Sequence, residues 1–143
     1  MGTNAIIAVE RADGKVGSVS VHWDGYLSHV GKLLQKHYAT PESAEELIKG
    51  GDMSSLGERV TPTGAHSWNK PEKGTTVFYG RDRGERGSRA KLFKDRNAFE
   101  EYAANWEYNY IMLDGIWYAR CYITEGQFTR LERVFAMEEE LED

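Results

Sequence analysis

The stretch AIIAVERADGKVGSVSVHW, residues 5–23, decides the fold because it predicts a β-hairpin. Its two runs of strand-forming residues are separated by Asp13-Gly14, a pair that favours the tight turn between antiparallel strands. Side chains alternate between the two faces of a strand. One face of the second strand is therefore expected to carry Val16, Ser18, Ser20 and His22, and the other Gly17, Val19, Val21 and Trp23.

A second hairpin is predicted from YNYIMLDGIWYARCYI, residues 108–123, which contains Asp114-Gly115, the same type of turn pair. The chain after it, residues 124–143, predicts a C-terminal helix with an acidic end. The expected apolar stripe of this helix consists of Phe128, Leu131, Val134 and Phe135. Such a stripe packs onto the sheet or, as an alternative, onto a second copy in a homodimer.

Between the hairpins, helices are predicted to begin after Asp24, Thr40 and Asp95, which are residue types that cap helix N-termini. A short middle strand is predicted at TTVFYG, residues 75–80. The whole chain, 1–143, is therefore predicted to form one α+β domain. Its antiparallel sheet is built from two β-hairpins plus the middle strand, and three to four helices pack mainly on one face.

The composition restricts the class of protein more than it identifies a function. A net charge of −5 over 143 residues gives no general attraction to nucleic acid, so direct nucleic-acid binding is not expected. The single cysteine, Cys121, excludes an internal disulfide and predicts a small buried residue in a strand. The sequence shows no secretory signal and no membrane-spanning run, which predicts a cytoplasmic protein without membrane association.

The stretch HWDGYLSHVGKLLQKHY, residues 22–38, contains three histidines, yet its spacing does not match a metal site. His29 and His37 are eight residues apart, whereas two ligands on one helix usually stand at i and i+4. We therefore predict no metal and no cofactor. The favoured interpretation is a strand-to-helix corner that His22 and Asp24 hold by hydrogen bonds.

The stretch RDRGERGSRAKLFKDR, residues 81–96, is a local reversal of charge in an acidic chain. Arginine forks match phosphate or carboxylate oxygens, and glycines let backbone N–H groups approach an anion. A solvated loop whose arginines pair with nearby acids is the alternative, and neither interpretation is preferred. Tyr79 precedes the stretch and could stack on a base or belong to the core.

The chain resembles a group of small tailed-bacteriophage and prophage proteins in a series of short motifs over about its first ninety residues. The matching positions are His22, Trp23, Asp24, Gly25, Tyr26, His37, Tyr38, Gly51, Asp52, Ser54, Ser55, Leu56, Gly57, Glu58, Tyr79, Arg81, Asp82, Arg83, Gly84 and Glu85. The group supplies no assigned activity. The resemblance implies a phage accessory role in the cytoplasm of a bacterial host, such as the inhibition of host defence.

The sequence therefore predicts a non-enzymatic phage accessory protein that holds an anionic, nucleotide-like ligand. Its predicted ligand-binding residues are Arg81, Arg83 and Arg86 for phosphates, with His22, Asp24, Tyr26 and Tyr79 for further contacts. No catalytic residue is predicted. Two alternatives remain open: a protein-protein inhibitor of a host enzyme that uses the acidic surface, and a small metal-dependent hydrolase that uses His22, Asp24 and His37.

Overall fold

The computed structural model describes residues 3–142 and confirms an α+β fold. Its strands are β1 (Ala5–Glu10), β2 (Val16–Val21), β3 (Met53–Ser55), β4 (Val77–Phe78), β5 (Lys91–Phe93), β6 (Tyr108–Leu113), β7 (Ile116–Arg120) and β8 (Thr129–Arg130). Its helices are α1 (Lys32–His37), α2 (Pro41–Lys49), α3 (Tyr79–Arg83), α4 (Arg96–Ala103) and α5 (Leu131–Glu142). A π-helical segment (Leu27–Gly31) leads into α1, and a 3₁₀ turn (Tyr122–Thr124) follows β7.

Both predicted hairpins are present. β1 and β2 pair antiparallel and are joined by residues 11–15, in which Gly14 has a φ of +85°. β6 and β7 pair antiparallel through the two-residue turn of Asp114 and Gly115, with φ values of +51° and +80°. Positive φ at both positions matches the right-handed twist of the paired strands.

The prediction of an antiparallel sheet is wrong in detail, because the sheet is mixed. Its order is β4-β3-β2-β1-β6-β7-β8, with β5 also paired to β2. β1 runs parallel to β6, and β2 runs parallel to β3. The two hairpins meet through β1 and β6, and the long crossover with its helices between them allows the parallel pairing. The sheet ends in two-residue strands, β4 and β8.

Helices cover both faces of the sheet. On one face, α1, α2 and α5 pack through Leu34, Leu47 and Val134, each of which is fully buried. On the other face, α4 packs through Phe99 and Ala103. Three helices therefore follow the prediction of packing mainly on one face, α4 does not, and the short α3 was not predicted.

Two of the three predicted helix caps are confirmed. Thr40 accepts a hydrogen bond from the backbone N–H of Ser43, and Asp95 accepts one from that of Ala98. The predicted cap at Asp24 is wrong, because Asp24 has a φ of +58° and Tyr26 is the residue at the N-cap position. The following segment starts as a π-helix without a side-chain cap.

The C-terminal helix begins at Leu131 rather than at residue 124. Residues 124–130 turn back instead, and Thr129 and Arg130 pair with β7. Phe128 therefore lies outside the helix, and it packs near Phe99 on the opposite face of the sheet. Leu131, Val134 and Phe135 keep the predicted stripe. Cys121 is buried, as predicted, but it lies just after β7 and before the 3₁₀ turn, not in a strand.

Candidate functional site

The corner at residues 22–26 is held by its backbone and not by the predicted side-chain hydrogen bonds. The N–H of His22 donates to Met53, and the N–H of Trp23 donates to Ser54, which extends the pairing of β2 with β3. Within residues 3–142, the side chains of His22 and Asp24 make no hydrogen bond. The ring of His22 instead packs edge-on against Trp23, with 4.6 Å between the centroids.

The polar residues of this corner all face solvent. His22, Asp24 and Tyr26 are exposed. Asp24 lines a surface cavity of about 410 Å³ together with His29 and Glu72, and no arginine contributes to it. The corner therefore does not join the arginines predicted to act with it.

Arg81 lies at the surface, but its guanidinium is engaged by other groups of the protein. Its guanidinium donates hydrogen bonds to the carbonyl oxygens of Val60 and Thr76, the latter at 2.8 Å. Its Nε also donates to the carboxylate of Asp82 at 2.8 Å. These bonds tie α3 to the long irregular segment that precedes β4, so Arg81 acts as a structural residue in this arrangement.

Asp82 is the centre of this network. Its side chain is 5% exposed, and it accepts hydrogen bonds from Arg81 and from the backbone N–H of Phe78. His66 Nε2 lies 3.1 Å from Asp82 Oδ2. Because His66 Nδ1 accepts the backbone N–H of Glu72, the ring hydrogen lies on Nε2 and is donated to Asp82. Both nitrogens of His66 are thus occupied by structural contacts.

Acid is expected to destabilise the folded protein through Asp82. Burial raises the pKa of Asp82, but the hydrogen bonds from Arg81, His66 and Phe78 outweigh it and hold the pKa at about 2. A pKa lowered by folding stabilises the folded state above the ordinary value of 3.8, and this contribution of about 2 kcal/mol is lost as the pH falls through 2. Urea unfolding at about pH 5, 3 and 2 should show a steeper loss for the native protein than for Asp82→Asn. If the free energies of unfolding of the two proteins fell in parallel with pH, Asp82 would not be the source of the acid sensitivity.

Arg83 and Tyr79 form a stacked group on the surface of α3. The guanidinium of Arg83 lies 4.6 Å from the ring centroid of Trp68 and 4.8 Å from that of Tyr79. It also forms an ion pair with Glu85. The guanidinium and the charge of Arg83 are therefore already in contact with other side chains of the protein.

The remaining predicted arginine, Arg86, lies beside a basic cavity of about 500 Å³. We call this cavity the basic groove; its polar lining includes Lys49, Glu85, Arg86, Ser88 and Arg89, with glycines at 50, 80 and 87. Within the described part of the chain, Lys49, Arg86 and Arg89 make no ion pair. The groove therefore holds three cations opposed by the single carboxylate of Glu85.

The loop that forms this groove is fixed in place. The carbonyl oxygen of Ser88 accepts the N–H of Asp52 at 2.7 Å, and the hydroxyl of Ser88 donates to the carbonyl of Glu85. Gly84 ends α3 in the left-handed conformation, with a φ of +70°, and turns the chain into the loop. Gly51 lies so close that an added Cβ would be 2.3 Å from the oxygen of Ser88.

A second cavity, of about 390 Å³, shares Gly87 and Arg89 with the basic groove. We call it the aromatic cleft, because Tyr102 and Trp106 form one wall of it. Asp52 and Lys91 also line it. The two cavities therefore lie on either side of the same loop and meet at Arg89.

Only Arg86 of the predicted ligand residues lines the basic groove. Arg89 lies in the same basic stretch and could have been selected from it, since it carries the same charge as Arg86 and Gly87 lies between the two. Lys49 lies at the end of α2, and nothing in the sequence around it indicates a binding site. It comes near Arg86 and Arg89 only because the loop packs against Gly51 in the folded chain. The acidic end of α5 does not line either cavity.

The described residues show neither a metal-binding cluster nor a membrane-spanning helix. Across positions 3–142, no group of three His, Cys, Asp or Glu side chains is placed to hold a metal ion. In the same part of the chain, every helix is too short or too polar to cross a membrane.

Comparisons with protein families, with curated proteins and with solved structures found no match to this chain.

Proposed function

We propose that the chain is a non-enzymatic binding protein that holds a phosphate-bearing, nucleotide-like ligand in the basic groove. The observation that carries the proposal is the placement of Lys49, Arg86 and Arg89 around a cavity whose loop is pinned by the bond from Asp52 to Ser88. Three neighbouring cations without ion pairs repel one another, and a bound anion relieves this repulsion.

The groove also offers the kind of donors that phosphate oxygens accept. Arginine presents several N–H donors in a planar fork, and charge-assisted bonds to phosphate are stronger than neutral ones. The loop is already fixed by its own hydrogen bonds, so binding does not have to order it, and the entropic cost of association is lower.

The resemblance to tailed-phage proteins adds a biological setting to this proposal. A small phage protein that holds a nucleotide without consuming it would act as a counter-defence protein by removing a nucleotide signal from solution. In this setting the partner is the small molecule itself.

Removing two of the three cations is expected to abolish binding. Each charge-assisted hydrogen bond contributes about 1.5–3 kcal/mol, so Arg86→Ala combined with Arg89→Ala should weaken pyrophosphate binding at least about 100-fold. Both side chains are exposed and make no hydrogen bond within residues 3–142, so the unfolding free energy should change by less than about 0.5 kcal/mol. Isothermal titration calorimetry at low salt and urea unfolding measure the two quantities.

The matched control is Arg130→Ala combined with Arg133→Ala, which removes the same charge from side chains that are 55% and 60% exposed. Pyrophosphate binding should survive in this control, apart from the loss due to net charge. If the two double variants weaken binding equally, the attraction is a general effect of charge and the groove is not the site.

A further inference from the structure

The aromatic cleft is left open by the small side chains of β2. Val16, Ser18 and Ser20 point to the face of the sheet that carries α4. Val16 is buried in the hydrophobic cluster between the sheet and α4, together with Phe93 and Phe99. Ser18 and Ser20 are too short to fill the corresponding space further along the strand, so they form the polar floor of a cleft about 390 Å³ in volume.

The cleft is lined by a pair of aromatic side chains, with a lysine against one of them. The rings of Tyr102 and Trp106 lie together, with 4.7 Å between their centroids. The ammonium group of Lys91 lies 4.5 Å from the ring centroid of Tyr102. Aromatic faces of this kind stack on planar bases, which all present a π-face.

Asp52 places a hydrogen-bond acceptor in the cleft. Its Oδ1 accepts the backbone N–H of Ser20 at 2.9 Å, and the side chain is only partly buried. An ionised carboxylate accepts at about four lone-pair sites and donates none, so the contacts with Ser20 leave acceptor capacity. Burial raises the pKa of the Asp52 carboxyl, and the hydrogen bonds from Ser20 offset this rise only in part.

We infer that the aromatic cleft is the base subsite of the ligand and that the base is guanine, an inference that rests on the function proposed above. A nucleotide with its phosphates at Arg86 and Arg89 can reach the cleft, because the two cavities share Arg89. A carboxylate pairs with adjacent N–H donors, and guanine carries two of them, at N1 and N2. Adenine presents one donor beside the acceptor N1, which a carboxylate repels.

The probes are pyrophosphate, GDP, IDP and ADP, titrated into the full chain by calorimetry. GDP should bind at least about tenfold more tightly than ADP, since a well-formed bidentate pair gives discrimination of this size. IDP lacks the 2-amino group and should fall between the two. Pyrophosphate should bind without the contribution of the base.

Asp52→Asn keeps an oxygen for the N–H of Ser20 and should remove the preference for GDP over ADP. Trp106→Ala should weaken GDP about tenfold while pyrophosphate is unaffected, and Trp106→Phe should restore most of the loss, because stacking needs only a ring. Thermal unfolding of each variant confirms that it is folded.

The outcomes separate this inference from the proposed function. If pyrophosphate binds and the three nucleotides bind equally in the native chain, the guanine subsite is overturned and the basic groove stands. If Asp52→Asn retains the full preference for GDP, Asp52 does not read the base and the inference is again overturned. If neither pyrophosphate nor GDP binds, both proposals are overturned together.

Discussion

Arg81→Ala is expected to lower the free energy of unfolding by about 2–4 kcal/mol. The change removes hydrogen bonds to the carbonyls of Val60 and Thr76, and it deprives the nearly buried carboxylate of Asp82 of its charged partner. Breaking such a pair from one side is costly because the remaining carboxylate stays desolvated and keeps only the hydrogen bonds from His66 and Phe78. Urea unfolding at neutral pH measures the effect directly.

Arg83→Ala is the comparison for this variant, because Arg83 lies in the same short helix and carries the same charge. It stacks on Trp68 and Tyr79 at the surface, and its side chain is 45% exposed, so its loss should cost about 1 kcal/mol or less. Should Arg81→Ala leave stability unchanged and remove pyrophosphate binding, Arg81 would be a ligand residue after all, as the sequence predicted.

Gly51→Ala is expected to destabilise the protein by about 3 kcal/mol and to disrupt the basic groove. The residue has a φ of +84°, which costs a residue with a Cβ about 1–2 kcal/mol. The new Cβ would also lie 2.3 Å from the carbonyl oxygen of Ser88, so the loop must move away. This movement breaks the hydrogen bond from Asp52 to Ser88 that fixes the groove, and pyrophosphate affinity should fall with stability.

Gly14→Ala separates the cost of the positive φ from the cost of the contact with Ser88. Gly14 has a φ of +85°, but an added Cβ would have no neighbour within 4 Å. This variant should therefore lose only about 1 kcal/mol of stability and keep pyrophosphate binding, because Gly14 lies in the first hairpin turn. Equal destabilisation by the two substitutions would show that the loop tolerates displacement and is not held against Gly51.

The parts of the fold that the sequence predicts well are those with strong local signals. Asp114-Gly115 favours a two-residue turn whatever the rest of the chain does, and Thr40 followed by Pro41 marks a helix start. Both appear at the predicted positions. Asp24 carries a similar capping signal, but the backbone contacts of the corner set its φ positive and move the start of the helix to Leu27.

The parts that the sequence does not predict depend on distant contacts. β3, β5 and β8 contain only two or three residues each, which is too short for an alternating pattern to show. The parallel pairing of β1 with β6 joins residues about one hundred positions apart, and the sequence of neither strand indicates which strand it pairs with. These features result from the tertiary packing of elements that are each ambiguous alone.

The candidate site also has one part that the sequence predicts and another that depends on distant contacts. A basic stretch with glycines at 84 and 87 indicates a charged loop, and the structure has a cavity beside that loop. The sequence does not show which arginines form hydrogen bonds within the protein. The acceptors of Arg81 are the carbonyl oxygens of Val60 and Thr76, and both belong to an irregular segment whose path the sequence does not predict. The sequence also does not predict that Lys49 lies beside the loop, since α2 and the loop meet only in the folded chain.

The two-residue strands at both ends of the sheet have a consequence for self-association. An outer strand with several unsatisfied N–H and C=O groups serves as a template on which another chain can form a ladder, and this is a common route to aggregation. Val77–Phe78, Thr129–Arg130 and the three-residue outer strand Lys91–Phe93 beside β2 offer too few such groups to hold a neighbouring strand. A second copy would therefore have to dock through side chains, such as those of α5, and not by continuing the sheet from one molecule into the next.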